Sequence, residues 1–308
     1  MTHRLNRILL VLLLAIGLPF YWFLLDNSGA TRPAKLITMS ELRSLAAAIP
    51  GEAPYAVEAE RAGFRRLPGD LMVAGSGLKR KLIGYMAFRL LVRGGRPVMI
   101  ESGLTPAIAA AAAGAEQFNL PAQARIDREL DRAGLILVTH EHPDHLGALA
   151  AHGGRALAEA AWLNPAQLPS SPSARQLPWA NISNVQARIA GNAPVAVAPG
   201  VVVIPAPGSH TPGSQLIYVR LADGHELLFA GDNSSFAQNW QELRGRSRLV
   251  ETWFAPENRA EVFAWLKTIR ALKAQAPNMA VVPGHDWEWL ENPENNTGVR
   301  IGFSPNEP

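Results

Sequence analysis

Apolar positions change their period several times along the chain, and each change marks an element. Ile8 to Leu25 is an unbroken apolar run, with Arg4 and Arg7 before it and Asp26 after it. At about 1.5 Å per residue, a helix of that length nearly spans a ~30 Å hydrocarbon core. Residues 31–78 are rich in Ala, Gly and Pro and read as a linker and packing arm. One helical stretch interrupts them, Met39 to Ala48, where Ser40 and Glu41 suit a helix start. Tyr85 to Val92 and Pro97 to Ile100 read as a β-hairpin turning at Arg93-Gly-Gly-Arg96. Pro106 to Ala115 is an Ala-rich short helix or excursion, and Ala122 to Ala133 has apolar residues at helical spacing. Leu135 to Thr139 is an apolar, β-branched strand. Leu146 to Ala161 reads as a helix, and Trp162 to Val185 as a Pro-rich loop that, with residues 103–121, lines a pocket. Val195–Ala198 and Val201–Ile204 are strands, and Gln215–Leu221 and Glu226–Ala230 flank Asp223-Gly224 as a hairpin. Asn258 to Gln275 is a helix with Val262, Phe263, Leu266, Ile269 and Leu272 on one face, and Met279 to Val282 is a last strand.

Composition narrows the class. With 48% apolar and 18% charged residues the chain is globular. A net charge of +3 is too weak to suggest a nucleic-acid partner, and Lys79-Arg80-Lys81 reads as a solvated approach to the hairpin. The absence of cysteine excludes disulfides and thiolate ligands. The N-terminal run, residues 1–30, reads as an uncleaved anchor in preference to a cleaved signal, because secretory apolar regions are usually shorter. Pro19 and the small residues Ser28-Gly29-Ala30 argue for the signal; Tyr21 and Trp22 suit a membrane interface. Basic residues before the run keep the N-terminus in the cytoplasm, so either version exports the remainder.

The chemistry gathers where the strand at 135–139 ends. His140 and His142 are two apart, so on extended chain both imidazoles point the same way. Pro143 turns the chain and brings Asp144 and His145 round to the same centre. Of eight histidines in the chain, three fall here, and this is the ligand set that borderline cations such as zinc prefer. His210, Asp232 and His285 each follow another hydrophobic stretch and can converge at the same sheet rim. Seven candidates are too many for one tetrahedral ion. His152 and His225 read as surface residues.

The His140-Glu-His-Pro-Asp-His145 stretch resembles the His-x-His-x-Asp-His signature of the metallo-β-lactamase superfamily. His210 in Gly-Ser-His-Thr-Pro-Gly-Ser, Gly231-Asp232 and Pro283-Gly284-His285 match its later landmarks, and Glu101-Ser102-Gly103 matches the early one where Asp is usual. The resemblance covers roughly residues 80–290. It implies a four-layered αββα sandwich over 79–308 and two divalent cations, zinc first, with iron or manganese as alternatives. His140, His142 and His210 would hold one ion, and Asp144, His145 and His285 the other, with Asp232 bridging. Asp144 and Asp232 would be the catalytic carboxylates, Asp286 a partner for His285, and a metal-activated hydroxide the nucleophile.

Within that family the resemblance also discriminates. The oxygen-reducing di-iron branch carries an acidic residue at the position of His142, and true β-lactamases a Cys or non-acidic residue at that of Asp232. What remains is similar to the lactonase, glyoxalase II and esterase branch, acting on a small-molecule ester, lactone or thioester. The spacings from His145 to His210, Asp232 and His285 look more like the lactonases, which usually carry Tyr at the position of Ser235. A mononuclear-iron persulfide dioxygenase and a phosphodiesterase of the same fold are the alternatives, and a membrane-attached binding module with a relic site is a third.

Overall fold

The protein is described by a computed structural model covering residues 2–28, 31–111, 114–180 and 185–305. Gly29 and Ala30 of the small-residue stretch, part of the Ala-rich block after Pro106, and residues 181–184 of the Pro-rich loop lie outside the described residues.

Eleven strands occur among the described residues: β1 (Ala56–Pro68), β2 (Arg80–Leu91), β3 (Val98–Ile100), β4 (Gln117–Phe118), β5 (Leu135–Leu137), β6 (Val195–Ala198), β7 (Val201–Pro205), β8 (Gln215–Arg220), β9 (Glu226–Gly231), β10 (Ala280–Pro283) and β11 (Val299–Ile301). The α-helices are α1 (Thr2–Phe20), α2 (Met39–Ala46), α3 (Gly69–Met72), α4 (Pro106–Ala110), α5 (Leu120–Arg132), α6 (Pro143–His152), α7 (Ala237–Glu242), α8 (Arg259–Gln275) and α9 (Trp287–Glu291). One sheet runs β11-β1-β2-β3-β5 with β4 beside β1; the other runs β10-β9-β8-β7-β6.

Strand alternation explains the layers. In β7, Val201 and Val203 face the other sheet, while Val202 and Ile204 face α8. In β9, Leu227 and Phe229 face inward and Leu228 and Ala230 outward. Between the sheets Phe88 and Phe229 meet edge to face, their ring centroids 5.0 Å apart. Leu266 and Ile269 of α8, with Leu42 of α2, cover the outside of the second sheet. Ile126 and Leu130 of α5 and Leu146 and Leu149 of α6 cover the first. The result is the αββα sandwich expected. The central strands are buried on both faces, which is why most of them read as near-continuous apolar runs.

Three readings are corrected. The stretch 31–78 is not a linker throughout. Its residues Ala56–Pro68 form β1, antiparallel to β2 along its length from Ala56↔Leu91 to Pro68↔Arg80, so the sandwich starts well before residue 79. The helix expected over 146–161 begins earlier, at Pro143, and stops at His152. Gly153 (φ +64°) and Gly154 (φ +57°) break it, and a π-helical turn, Ala156–Ala160, follows. The first hairpin strand begins at Arg80, not Tyr85.

Candidate metal centre

Strand direction gathers the candidates at one rim. β9 and β10 run parallel with Pro283 opposite Gly231, so Asp232 and His285 leave adjacent strand ends together. β3 and β5 are parallel with Ile100 opposite Leu137, so Glu101 stands beside the ligand loop. The two sheets meet here, Gln215 N donating to Thr139 O at 2.8 Å. Glu141 ties the β7–β8 loop to the ligand loop by accepting from Thr211 Oγ1 at 2.7 Å and Gly213 N at 3.1 Å. That clamp fixes His210 opposite His140 and His142.

Two glycines are required by the close approach of these strand ends. A Cβ on Gly231, whose φ is +51°, would lie 2.6 Å from Thr139 Cβ, and one on Gly284 would lie 2.5 Å from Asp232 Oδ1. The Gly-Asp and Gly-His pairs in the sequence are therefore packing requirements as much as a signature.

All seven candidates come together, in two groups: His140, His142, His210 and Asp232; and Asp144, His145 and His285. Asp232 lies between them. Its Oδ2 is 3.4 Å from His210 Nε2 and 3.9 Å from His140 Nε2. Its Oδ1 is 3.0 Å from His285 Nε2 and 4.0 Å from His145 Nε2. Asp144 Oδ2 lies 3.7 Å from His285 Nε2 and 3.9 Å from His145 Nε2. His140, His145, His210, Asp232 and His285 are buried, whereas His142 and Asp144 are half-buried and open the centre to solvent. His152, which pairs with Asp131 at 2.8 Å, and His225, bonded to Thr297 O at 3.0 Å, lie outside it.

The donor set fits a cation. His140 Nδ1 faces Thr139 Oγ1 at 3.1 Å, and that hydroxyl donates to Glu101 Oε1; His210 Nδ1 faces Glu257 Oε2 at 2.7 Å. Thr139 Oγ1 and Glu257 Oε2 can each accept a hydrogen bond from Nδ1, which leaves bare lone pairs on Nε2; Arg246 Nη1 also lies 2.8 Å from His210 Nδ1. Both Nε2 atoms lie 3.1 Å from His142 Nδ1. Three converging imidazole nitrogens cannot all be satisfied by protons, and a metal ion satisfies all three. Burial and the imidazoles of His145 and His142 hold the His140 pKa well below its ordinary value. Burial and Arg246 do the same for His210, and burial with His210 takes His142 down to about 4. The three histidines of the first group are thus neutral at pH 7, the state in which an imidazole can bind a metal.

The second group differs. Against the opposing effect of burial, Glu101 and Asp144 raise His145 to about 10, and Asp232 raises His285. Burial would raise both carboxylates, yet His285 and Arg246 hold Asp232 well below the usual carboxylate range, and His145 and His285 lower Asp144.

The sequence reading missed the groups that orient these candidate ligands. His285 Nδ1 bonds Gly84 O at 2.8 Å. Asp286, expected to support His285, instead caps α9 through Trp289 N and accepts from Ala237 N. Arg246 and Glu257 were not anticipated at all. Arg246 reaches Asp232 Oδ2 at 2.8 Å and Glu257 Oε2 at 2.5 Å. Ser235 Oγ donates to Asp232 Oδ1 at 3.1 Å and accepts from Arg246. Glu101 was noted, and the structure shows its work: φ +65°, bonds from Thr139 N and Oγ1, and 3.2 Å to His145 Nδ1.

A two-sheet sandwich with a His/Asp centre at its rim defines a class of metallo-hydrolases. Residues 89–285 match the family model of the metallo-beta-lactamase superfamily, and the chain belongs to that family. No curated protein matches the sequence significantly. Among solved structures it is similar to a quorum-quenching N-acyl homoserine lactone lactonase, at 18% identity, TM-score 0.60, and coverage of 79% of this chain and 96% of that one. An N-acyl homoserine lactone hydrolase with N-hexanoyl-L-homoserine at its catalytic metal centre aligns at 18% identity, TM-score 0.59, over 78% and 96%. A probable metal-dependent hydrolase from Staphylococcus aureus aligns at 13% identity, TM-score 0.55, over 77% and 91%. At these identities the likeness concerns the fold alone.

Proposed function

We propose that this metallo-hydrolase works with two divalent cations and cleaves an ester, lactone or thioester of a small molecule, in a domain tethered to a membrane by α1 and exported. The carrying observation is the division of Asp232, one carboxylate oxygen toward each histidine group. His140, His142 and His210 would hold one ion, Asp144, His145 and His285 the other, with Asp232 shared. Such a pair lowers the pKa of water to near neutrality and polarises a carbonyl oxygen. The protein's own part is to hold His140, His142 and His210 neutral and Asp144 and Asp232 ionised, and to fix their orientation from behind; His145 and His285, whose pKa values the neighbouring carboxylates raise, would give up their protons to bind the second ion. Asp144, half-buried and kept ionised by its histidine neighbours, is the carboxylate within reach of solvent and of an entering substrate. It is suited to accept a proton from the nucleophile and return it to the leaving group.

The solved lactonases with this fold make a lactone the first substrate to try. Ser235 stands where that branch usually has Tyr, and its hydroxyl is committed to Asp232 and Arg246. Substrate contacts therefore differ from theirs at that position. The test is metal analysis of the purified chain together with turnover of lactone, thioester, phosphodiester and β-lactam substrates. About two equivalents of zinc, iron or manganese are expected, with hydrolysis of a lactone or activated ester. Asp232→Ala should lose at least one equivalent and most turnover; unchanged kinetics would refute the bridging role.

A further inference from the structure

We infer that α1 is a retained anchor whose end is built into the catalytic domain, and that Trp253 and Phe254 seat the domain in the lipid interface beside it. This rests on α1 being a membrane span and is independent of the metal chemistry. Along α1 nothing covers the apolar surface: Leu9, Leu13 and Ile16 are 55%, 67% and 70% exposed. Among the described residues it is the one helix long and apolar enough to cross a bilayer.

Its C-terminal end is different. A π-helical turn, Tyr21–Leu25, leads into a set of specific bonds. Leu24 O accepts from Gly75 N at 3.1 Å. Asn27 donates to Leu243 O at 2.9 Å and accepts from Gly245 N at 3.0 Å. Asp26 pairs with Arg248 at 2.6 Å, and Arg259 donates to Asp26 O and Ser28 O at 3.0 Å each. A secretory leader removed at Ser28-Gly29-Ala30 would strip these partners from Gly75 and from the segment 243–259, which also supplies Arg246 and Glu257 to the metal centre. A disposable leader has no reason to complete that segment.

The same segment carries an exposed aromatic pair. Trp253 is 56% and Phe254 74% exposed. Trp253 packs against Phe23 in a tilted arrangement, ring centroids 5.0 Å apart, and Arg248 lies 4.2 Å over the Trp22 ring. Tyr21 and Trp22 are themselves exposed. Tyr21, Trp22, Phe23, Trp253 and Phe254 thus gather where the apolar helix ends. Aromatic side chains concentrate where a span leaves the hydrocarbon core, and an exposed apolar patch continuous with a span fits lipid. The anchor end and the domain form one rigid seat, holding the metal centre at a fixed height over the bilayer.

The chain has no cysteine, so Phe254→Cys gives a single labelling site at a position exposed enough to tolerate the change; Trp253→Cys is the second such variant. Ile301→Cys, on the edge strand β11 and 45% exposed, is the control. Each full-length protein is reconstituted in phosphatidylcholine vesicles, labelled with an environment-sensitive fluorophore and titrated with brominated lipid. Several-fold stronger quenching at 254 and 253 than at 301 is expected, and the protein extracted from the membrane of the expressing cell, before any reconstitution, should have the mass of a chain retaining residues 1–28. Failure to float with vesicles would overturn the span. Flotation with labels at 253 and 254 as water-exposed as at 301 would overturn the seat, and a chain starting at residue 31 would overturn retention.

Discussion

The side chains that decide the centre's behaviour lie behind the ligands as much as among them. Glu257 is fully buried, and burial raises its pKa against the opposing pull of Arg246. Its Oε2 accepts from both His210 Nδ1 and Arg246 Nη1. Glu257→Gln keeps the volume but removes the charge that fixes the His210 proton on Nδ1. Changes to such orienting partners cost about 10–100-fold in metal affinity. The expected result is that much loss at the group formed by His140, His142, His210 and Asp232, read by competition with a chromophoric chelator; unchanged affinity would show that the contact is incidental. None of this was legible beforehand. Residues 244–259 mix charges and aromatics without a period, so Arg246 and Glu257 look like solvated surface. By contrast His140 to His145 was legible because Pro143 and the two-residue spacing dictate the local geometry. The glycines before Asp232 and His285 were legible because no other residue fits there.

Elements were readable where burial on both faces leaves an apolar run, and missed where charge is buried in pairs. β1 contains Glu58, Glu60, Arg61, Arg65 and Arg66, a pattern that reads as solvent-facing. In the fold Glu58 pairs with Arg89 and Glu60 with Arg125, so partners far away in sequence make the strand viable. α2 is attached to the second sheet in the same way. Arg43 forms a two-pronged bond to Glu226, 2.8 Å on each arm, and Tyr218 Oη donates to the same carboxylate at 2.5 Å. Burial would raise the Glu226 pKa, yet these bonds lower it. A carboxylate whose pKa is depressed on folding contributes stability above its unfolded value of about 4.3, and the contribution is lost as pH falls through the folded value. Glu226→Gln should therefore melt below the parent at pH 7, and the gap should close under acid, below about pH 4. A gap independent of pH would mean that the carboxylate's charge plays no part in holding α2.

At the scale of the molecule, the sandwich is closed where the chain returns to its start, and Arg89 shows how. β11 pairs in parallel with β1, Val57 opposite Val299, and the segment after it lies across β2. Arg89, 3% exposed, bonds Glu58, reaches Glu129 of α5 at 3.2 Å, donates to Ser304 O at 2.9 Å, and sits 5.0 Å over the Phe303 ring. One guanidinium therefore joins two strands, a covering helix and the C-terminal segment. Nothing in the local sequence marks it, because a lone Arg inside an apolar strand gains its meaning only from acids elsewhere. Arg89→Ala leaves Glu58 buried without its cation and Glu129 with Arg132 alone. Breaking a buried pair from one side costs about 3–5 kcal/mol, most of it the stranded charge. Arg89→Lys cannot reproduce the forked bonds and should recover only part of the loss. Arg89 approaches none of the seven candidate ligands, so the two variants should lower the melting temperature in that order while the protein still folded at low temperature keeps its full metal content. Calorimetry and metal analysis on the same samples check both halves. A metal content that falls in step with stability would mean that the first sheet and the metal rim do not behave as separable parts.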